Sequence, residues 1–128
     1  MTSAELRYLI SISELSVGEN GVKLTAIAVK MKVSKVSVFR AAERLEKGGY
    51  VRRDEKNRVV MTGYGYEQLS QYRLMIGWLG DHLEYHCGVP GDVAYRDAIG
   101  AACAMSDQSR HGLTEFIKFQ KALIRTKE

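Results

Sequence analysis

The densest set of side chains able to do chemistry in these 128 residues is Asp81-His82-Leu83-Glu84-Tyr85-His86-Cys87. His82 and His86 stand four apart, on one face of a helix, a spacing acceptable for Zn²⁺. Cys87, Cys103 or His111 could supply a further donor. The competing account needs no metal. His82 is then a surface residue, His86 lies near a helix C-terminus where positive charge is welcome, and both cysteines pack as small hydrophobes. A second set is cationic: Lys35, Arg40, Arg44, Arg52, Arg53, Lys56 and Arg58, interleaved with Ser34, Ser37 and Val38. Lysine and arginine suit phosphates or guanine edges, serine hydroxyls suit phosphates, and Val38 suits a thymine methyl. No Gly-rich phosphate loop, nucleophile elbow, Ser/His/Asp set or motif-bearing carboxylate pair is present, so an enzyme is not expected.

The cations fall within a stretch, 24–61, that reads as helix, turn, recognition helix and two-stranded wing. Thr25 is the expected N-cap of a short helix carrying Ile27, Ala28 and Met31. Lys32-Val33 makes the turn, and Ser34 caps the next helix. There Val36, Phe39, Ala42 and Leu45 recur as an apolar stripe, which places Phe39 in the core. Ser34, Lys35, Ser37, Val38, Arg40, Arg44 and Ala41 are left to face a groove. Gly48-Gly49 ends the helix, since glycine accepts the left-handed conformation. Tyr50-Val51 and Val59-Val60-Met61 read as strands around a polar tip in which Asn57 makes the turn. Arg52, Arg53, Lys56 and Arg58 are then placed for backbone or minor-groove contacts. Two helices followed by a basic hairpin form the winged variant of the helix-turn-helix, a reader of double-stranded DNA.

Around this stretch, residues 4–16 form an opening helix, Glu19-Asn20-Gly21 a turn, and Val22-Lys23-Leu24 an edge strand for the wing. Thr62 caps a long helix in which Leu69, Tyr72, Ile76, Leu79, Leu83 and His86 step by three and four to a stop at Gly88-Val89-Pro90. That seam predicts a homodimer, the usual state of DNA readers that bind paired half-sites, with packing against the chain's own later helices as the alternative. Helices over 91–105 and 107–125 follow. The second is capped by Ser106 or Asp107, with Leu113, Phe116, Ile117, Phe119 and Leu123 inward. The expected fold is mainly α with a small β wing: a DNA-binding domain over 1–62 and a helical dimerisation domain over 63–128.

Charge agrees with that division. Residues 1–62 hold 12 Lys/Arg against 7 Asp/Glu, whereas 63–128 hold 7 against 8. The positive excess sits where phosphate contacts are needed. No apolar run approaches the roughly 18 residues of a membrane span and no signal peptide opens the chain, so a cytoplasmic protein with reduced Cys87 and Cys103 is expected.

The chain resembles the metal-dependent repressors of the diphtheria-toxin-repressor and manganese-repressor family. The resemblance rests on Tyr8 in the opening helix, the winged stretch 24–61, Met61-Thr62-Gly63-Tyr64-Gly65, Gly88-Val89 and Met105-Ser106. It implies a winged-helix domain followed by a helical dimerisation domain, and transcriptional repression with a divalent metal as corepressor. The ligands do not carry over. Where the family places donors, this chain has Arg7 and Ile10, Ile76-Gly77, and Ile99, Ala102 and Cys103. Mn²⁺ and Fe²⁺ require several oxygen or nitrogen donors, so that pocket is expected to be absent and no cofactor is required; Mn, Fe or Zn stays open through the resemblance alone. Gly77 and Gly80 flank Trp78 inside the long helix. Either close helix approach accounts for them, or the emptied metal pocket admits a small organic ligand or is filled by apolar side chains, with Ile10, Gly77, Ile99 and Ala102 reading as a refilled core.

Three functions follow. One is a dimeric regulator binding operator DNA without manganese or iron. Another is the same architecture answering to a ligand, Zn²⁺ or oxidation at His82, His86, Cys87 and Cys103. The third is a protein-interaction module that has lost DNA binding.

Overall fold

The computed structural model describes residues 1–18 and 20–127. In order, the elements are α1 (Ser3–Leu15), α2 (Leu24–Met31), α3 (Lys35–Lys47), β1 (Val51–Arg53), β2 (Val59–Met61), α4 (Gly63–Asp81), a π-helical turn (His82–His86), α5 (Gly91–Ala104) and α6 (Asp107–Lys127). Contacts group them into a first unit, Met1–Leu69, and a second from Ser70 on. The mainly α fold with a small wing is as expected.

In the first unit, α1 opens on a capping box. Thr2 Oγ1 accepts from Glu5 N at 3.1 Å, and the Glu5 carboxylate accepts from Thr2 N at 3.2 Å. Two orphan donors are thus satisfied reciprocally. Helices α1, α2 and α3 pack around Leu6, Leu9, Ile12, Ile27, Val38, Ala41 and Leu45, each at most 1% exposed. Helix α2 has Lys23 as N-cap with no side-chain hydrogen bond; Thr25, expected in that role, lies inside the helix. The edge strand expected over 22–24 is one bridge, Val22 to Val59, because Leu24 already begins α2. Asn20 N donates to Val17 O at 3.3 Å, while Glu19, assigned to the turn, lies outside the described residues.

Both ends of the recognition helix are set by local chemistry. Lys32 adopts a left-handed φ of 57°, and Val33 N donates to Ala28 O at 3.1 Å, so α2 closes sharply enough for α3 to cross it. Ser34 Oγ accepts from Ser37 N at 3.1 Å. At the other end Gly49, with φ 83°, lets Tyr50 N reach Leu45 O and Gly49 N reach Glu46 O, each at 3.0 Å. This is the Schellman closure.

The buried face of α3 is Val38, Ala41, Ala42 and Leu45, not the expected Val36–Phe39–Ala42–Leu45 stripe. Steps of three drift around a 3.6-residue helix, so Val36 and Leu45 end about 180° apart. The i, i+3, i+4, i+7 set stays on one side. Val36 is therefore 59% and Phe39 43% exposed, and Val38, expected to face a groove, is 1% exposed.

Strands β1 and β2 pair antiparallel with Val51 opposite Met61, Arg52 opposite Val60 and Arg53 opposite Val59. Asp54 holds the tip: its Oδ1 accepts from Lys56 N at 2.9 Å and Arg58 N at 2.8 Å. Asn57 takes the left-handed position with φ 62°, which asparagine tolerates. Thr62 then caps α4, its Oγ1 accepting from Gly65 N at 2.9 Å. Gly65 is required there, because a Cβ would collide with the Tyr50 carbonyl.

The second unit packs Tyr72, Met75 and Ile76 of α4 with Ala94, Ala98 and Ala102 of α5 and Thr114 and Ile117 of α6 as its buried residues. Leu69, Tyr72 and Ile76, expected in an intersubunit seam, are at most 8% exposed within the chain itself. Leu79 and Leu83 are half-buried. A three-four pattern marks a buried stripe without saying whose core it enters. Helix α6 turns Arg110, Thr114 and Ile117 inward, and leaves Phe116, Phe119 and Leu123, expected inside, 45–61% exposed. The Arg110 guanidinium lies over the Tyr72 ring at 4.6 Å and pairs with Asp107, so a buried charge is partnered on both sides. Gly88, with φ 70°, ends the helical run. A Cβ on Gly80 would meet the Tyr95 ring at 2.5 Å, whereas one on Gly77 would meet nothing within 4 Å. Close approach accounts for Gly80 alone, and Gly77 is not filled by a neighbour. Glycine inside a helix costs roughly 1 kcal/mol relative to alanine.

Candidate nucleic-acid interface

Four buried residues fix the rotation of α3, and everything opposite them is presented outward. Arg40, Val36, Glu43 and Lys47 lie on that side, with Lys35 and Ser37 exposed near the N-terminus. Ser34 is exposed but occupied as cap, and its hydroxyl also donates to Ser37 Oγ at 3.0 Å. Arg44 is exposed, with its Nε 3.4 Å from Glu5 Oε1. Of the groove-facing set, Val38 and Ala41 are buried and unavailable; Val36 is the apolar side chain that takes their place. A stripe drawn through Ala41-Ala42 and Leu45 would have found it.

The wing supplies the rest. Arg52 and Lys56 are exposed, and Arg53 and Arg58 half-buried. With Asp54 and Glu55 they line a groove of about 430 Å³. Phe39, outside the core, meets the wing: the Arg53 guanidinium lies 5.4 Å from its ring centroid. Arg53 Nε is buried without a hydrogen-bond partner, so the cation is oriented by the ring. Recognition helix and wing are thereby tied through side chains as well as through the backbone at Gly48-Gly49. Asp54 directs its Oδ1 at the backbone of its own turn, so the wing keeps its cations without a carboxylate paired to any of them among the described residues.

The donor cluster of the second unit is arranged differently. His82 is edge-on to Trp78 at 4.5 Å, and the His82 and His86 rings lie 5.0 Å apart. Cys87 is exposed and Cys103 half-buried, both free thiols. Among the described residues, no three His, Cys, Asp or Glu side chains come together as a metal-holding group. The Asp81 carboxylate accepts from the Tyr95 hydroxyl, and that bond pushes the Tyr95 pKa up to about 12. At the family's ligand positions Arg7 is exposed, Ile10 and Ile99 are half-buried, and Ile76 and Ala102 are buried. Among the described residues no helix is long and apolar enough to cross a membrane.

Fold and surface together define a winged helix with a cationic face. A model of the MarR family matches residues 1–58. No curated protein sequence matches the chain. Solved structures carry the likeness further. The hypothetical protein SSo2273 from Sulfolobus solfataricus is 20% identical, with a TM-score of 0.67, over 91% of this chain and 89% of its own. The manganese regulator SloR is 24% identical with a TM-score of 0.71, and the metal-dependent transcriptional regulator MtsR is 19% identical with 0.67. Each is matched over 93% of this chain but only 55% of its own length, so this chain spans about half of those regulators. Identities this low establish the fold.

Proposed function

We propose that the chain is a transcriptional regulator that binds double-stranded DNA, α3 in the major groove and the wing on the backbone. The observation that carries this is the outward face of α3. Arg40, Val36 and Lys35 are released from core duty and lie in the same unit as a wing bearing Arg52, Lys56 and Arg58. Such a surface combines base-edge and phosphate contacts. The MarR match and the named regulators among the structural neighbours support it.

Binding takes place without manganese or iron, because of the residues at the family's donor positions only Cys103 could ligate, and these ions need several oxygen or nitrogen donors. The partner is a second copy. Since Leu69, Tyr72 and Ile76 are committed to the chain's own core, the seam moves to the exposed Phe116 and Phe119, spaced i, i+3 on α6.

The test is fluorescence anisotropy on DNA from the protein's own upstream region, at fixed salt in excess chelator and then with Mn²⁺, Fe²⁺ and Zn²⁺ in turn. Sequence-preferring binding in chelator is expected. Arg40→Ala should weaken it by roughly 1–3 kcal/mol, and Arg52→Ala should weaken all sequences and reduce the salt slope by about 1. Binding indifferent to both substitutions would return the chain to the class of protein-interaction modules.

A further inference from the structure

Gly77 carries a stability penalty with no packing reason, and what lies over it is space. A cleft of about 260 Å³ opens there, lined by Arg73, Trp78, Asp81, His82, His86 and Lys121 among others. Trp78, His82 and Lys121 also border an apolar cavity of about 520 Å³ whose other walls include Ile117, Leu123 and Ile124. Three shared side chains make the two cavities adjoining halves of one site. Its ends differ in chemistry: aliphatic groups of α6 line one, Arg73 stands at the other, and Lys121 lies on the wall they share. Among the described residues lining the polar half, the Asp81 carboxylate is occupied by the Tyr95 hydroxyl.

The dividing wall is held in place. Trp78 Nε1 donates to Gln120 Oε1 at 3.2 Å, which fixes the indole, and His82 packs edge-on against it. The π-helical turn begins at His82, and such turns recur at functional sites. Gly77 lines the polar half, and a Cβ there would meet nothing within 4 Å.

We propose that this cleft binds a small organic anion with an apolar body. The anionic group sits between Lys121 and Arg73, and the apolar body lies along Trp78 toward Ile117 and Ile124. A cation with the same body is excluded by charge, and an inorganic anion gains nothing from the apolar half. The site lies within the second unit and does not depend on DNA binding.

Trp78 is the chain's single tryptophan, so its emission reports the site directly. Octanoate is a suitable probe, with octylamine as the charge control; neither absorbs where tryptophan emits. Titration of the full chain is expected to give a saturable change in emission for octanoate with a midpoint on the order of 0.1–1 mM. Octylamine should be at least about tenfold weaker, since like charges face each other. Gly77→Leu should abolish the octanoate response while far-UV circular dichroism and thermal midpoint stay at or above those of the parent. Lys121→Gln, a change at an exposed position, should weaken it several-fold. Equal responses to octanoate and octylamine, or a response that survives Gly77→Leu, would overturn the proposal. So would an emission that ignores octanoate but shifts with protein concentration, the signature of a second copy in the cleft.

Discussion

Replacing Gly77 and Gly80 separately by alanine removes the same backbone freedom from the unfolded chain at both positions, so the difference between the variants isolates what each Cβ meets. Gly77→Ala enters open space. Its net effect is the helix-propensity gain alone, a stabilisation of about 1 kcal/mol. Gly80→Ala starts from the same gain but drives its Cβ to 2.5 Å from two atoms of the Tyr95 ring and 3.1 Å from a third, Cγ. The ring cannot swing clear about its own axis when the atom at its root is also close, so the whole side chain must move and give up Asp81. Overpacking of this kind costs about 1–3 kcal/mol, leaving a net loss of about 1 kcal/mol and a separation of about 2 kcal/mol between two alanines three residues apart. Urea unfolding followed by far-UV circular dichroism measures both. Gly80→Ala made in a Tyr95→Ala background should change sign and stabilise by about 1 kcal/mol, as at Gly77. Two single variants shifting the same way by the same amount would refute the assignment of one glycine to packing and the other to open space.

Val38→Ala should cost about 2 kcal/mol of stability and leave the DNA affinity of the folded protein within about twofold, whereas Val36→Ala should spare stability and weaken DNA binding; anisotropy and urea unfolding on the same samples separate the two. Lys32→Gly removes a left-handed non-glycine conformation that costs about 1–2 kcal/mol, partly offset by glycine's greater unfolded entropy, so a gain of about 0.5 kcal/mol is expected, against a loss of about 1 kcal/mol for Glu43→Gly in the middle of α3. Tyr95 ionises above its ordinary value of 10.0, at about 12, because its hydroxyl donates to Asp81. A raised folded pKa favours the neutral ring, so its contribution is fully present below pH 10 and is lost as the pH rises through 12. Tyrosinate absorbance should show a late-titrating component that moves back toward the ordinary range in Asp81→Asn.

Element ends were the most legible part of the sequence, because each is set by one residue's own chemistry: Ser34 and Thr62 as caps, Gly49 and Gly88 in left-handed turns, Asn57 at the wing. The opening helix expected from 4 begins at Ser3, where the structure adds a Thr2–Glu5 capping box that was not among the expectations from sequence. Faces were less legible. The choice between Val36–Phe39 and Val38–Ala41 as the inner side of α3 turns on one residue of phase. It is decided by α1 and α2, which pack from elsewhere in the chain. Helix α6 shows the same effect more strongly. Its inner side includes Arg110, which apolar periodicity cannot find, because the Tyr72 ring that covers it comes from another helix, although its partner Asp107 stands only three residues away. The buried Tyr72 and Ile76 expose a further limit: a stripe satisfied inside its own chain has the same spacing as one awaiting a partner.

Asp54 separates the shape of the wing from its message. Because that one side chain accepts from the backbone of both Lys56 and Arg58, and Asn57 supplies the left-handed step, the turn asks nothing of the side chains at 55 and 56. Those two positions are free to drift. A single change such as Glu55→Lys would reverse a charge at the tip of the wing while the strand register stayed fixed by Asp54. The hairpin is therefore a place where the charge offered to a partner can be retuned by one substitution at a time, without first evolving a new fold.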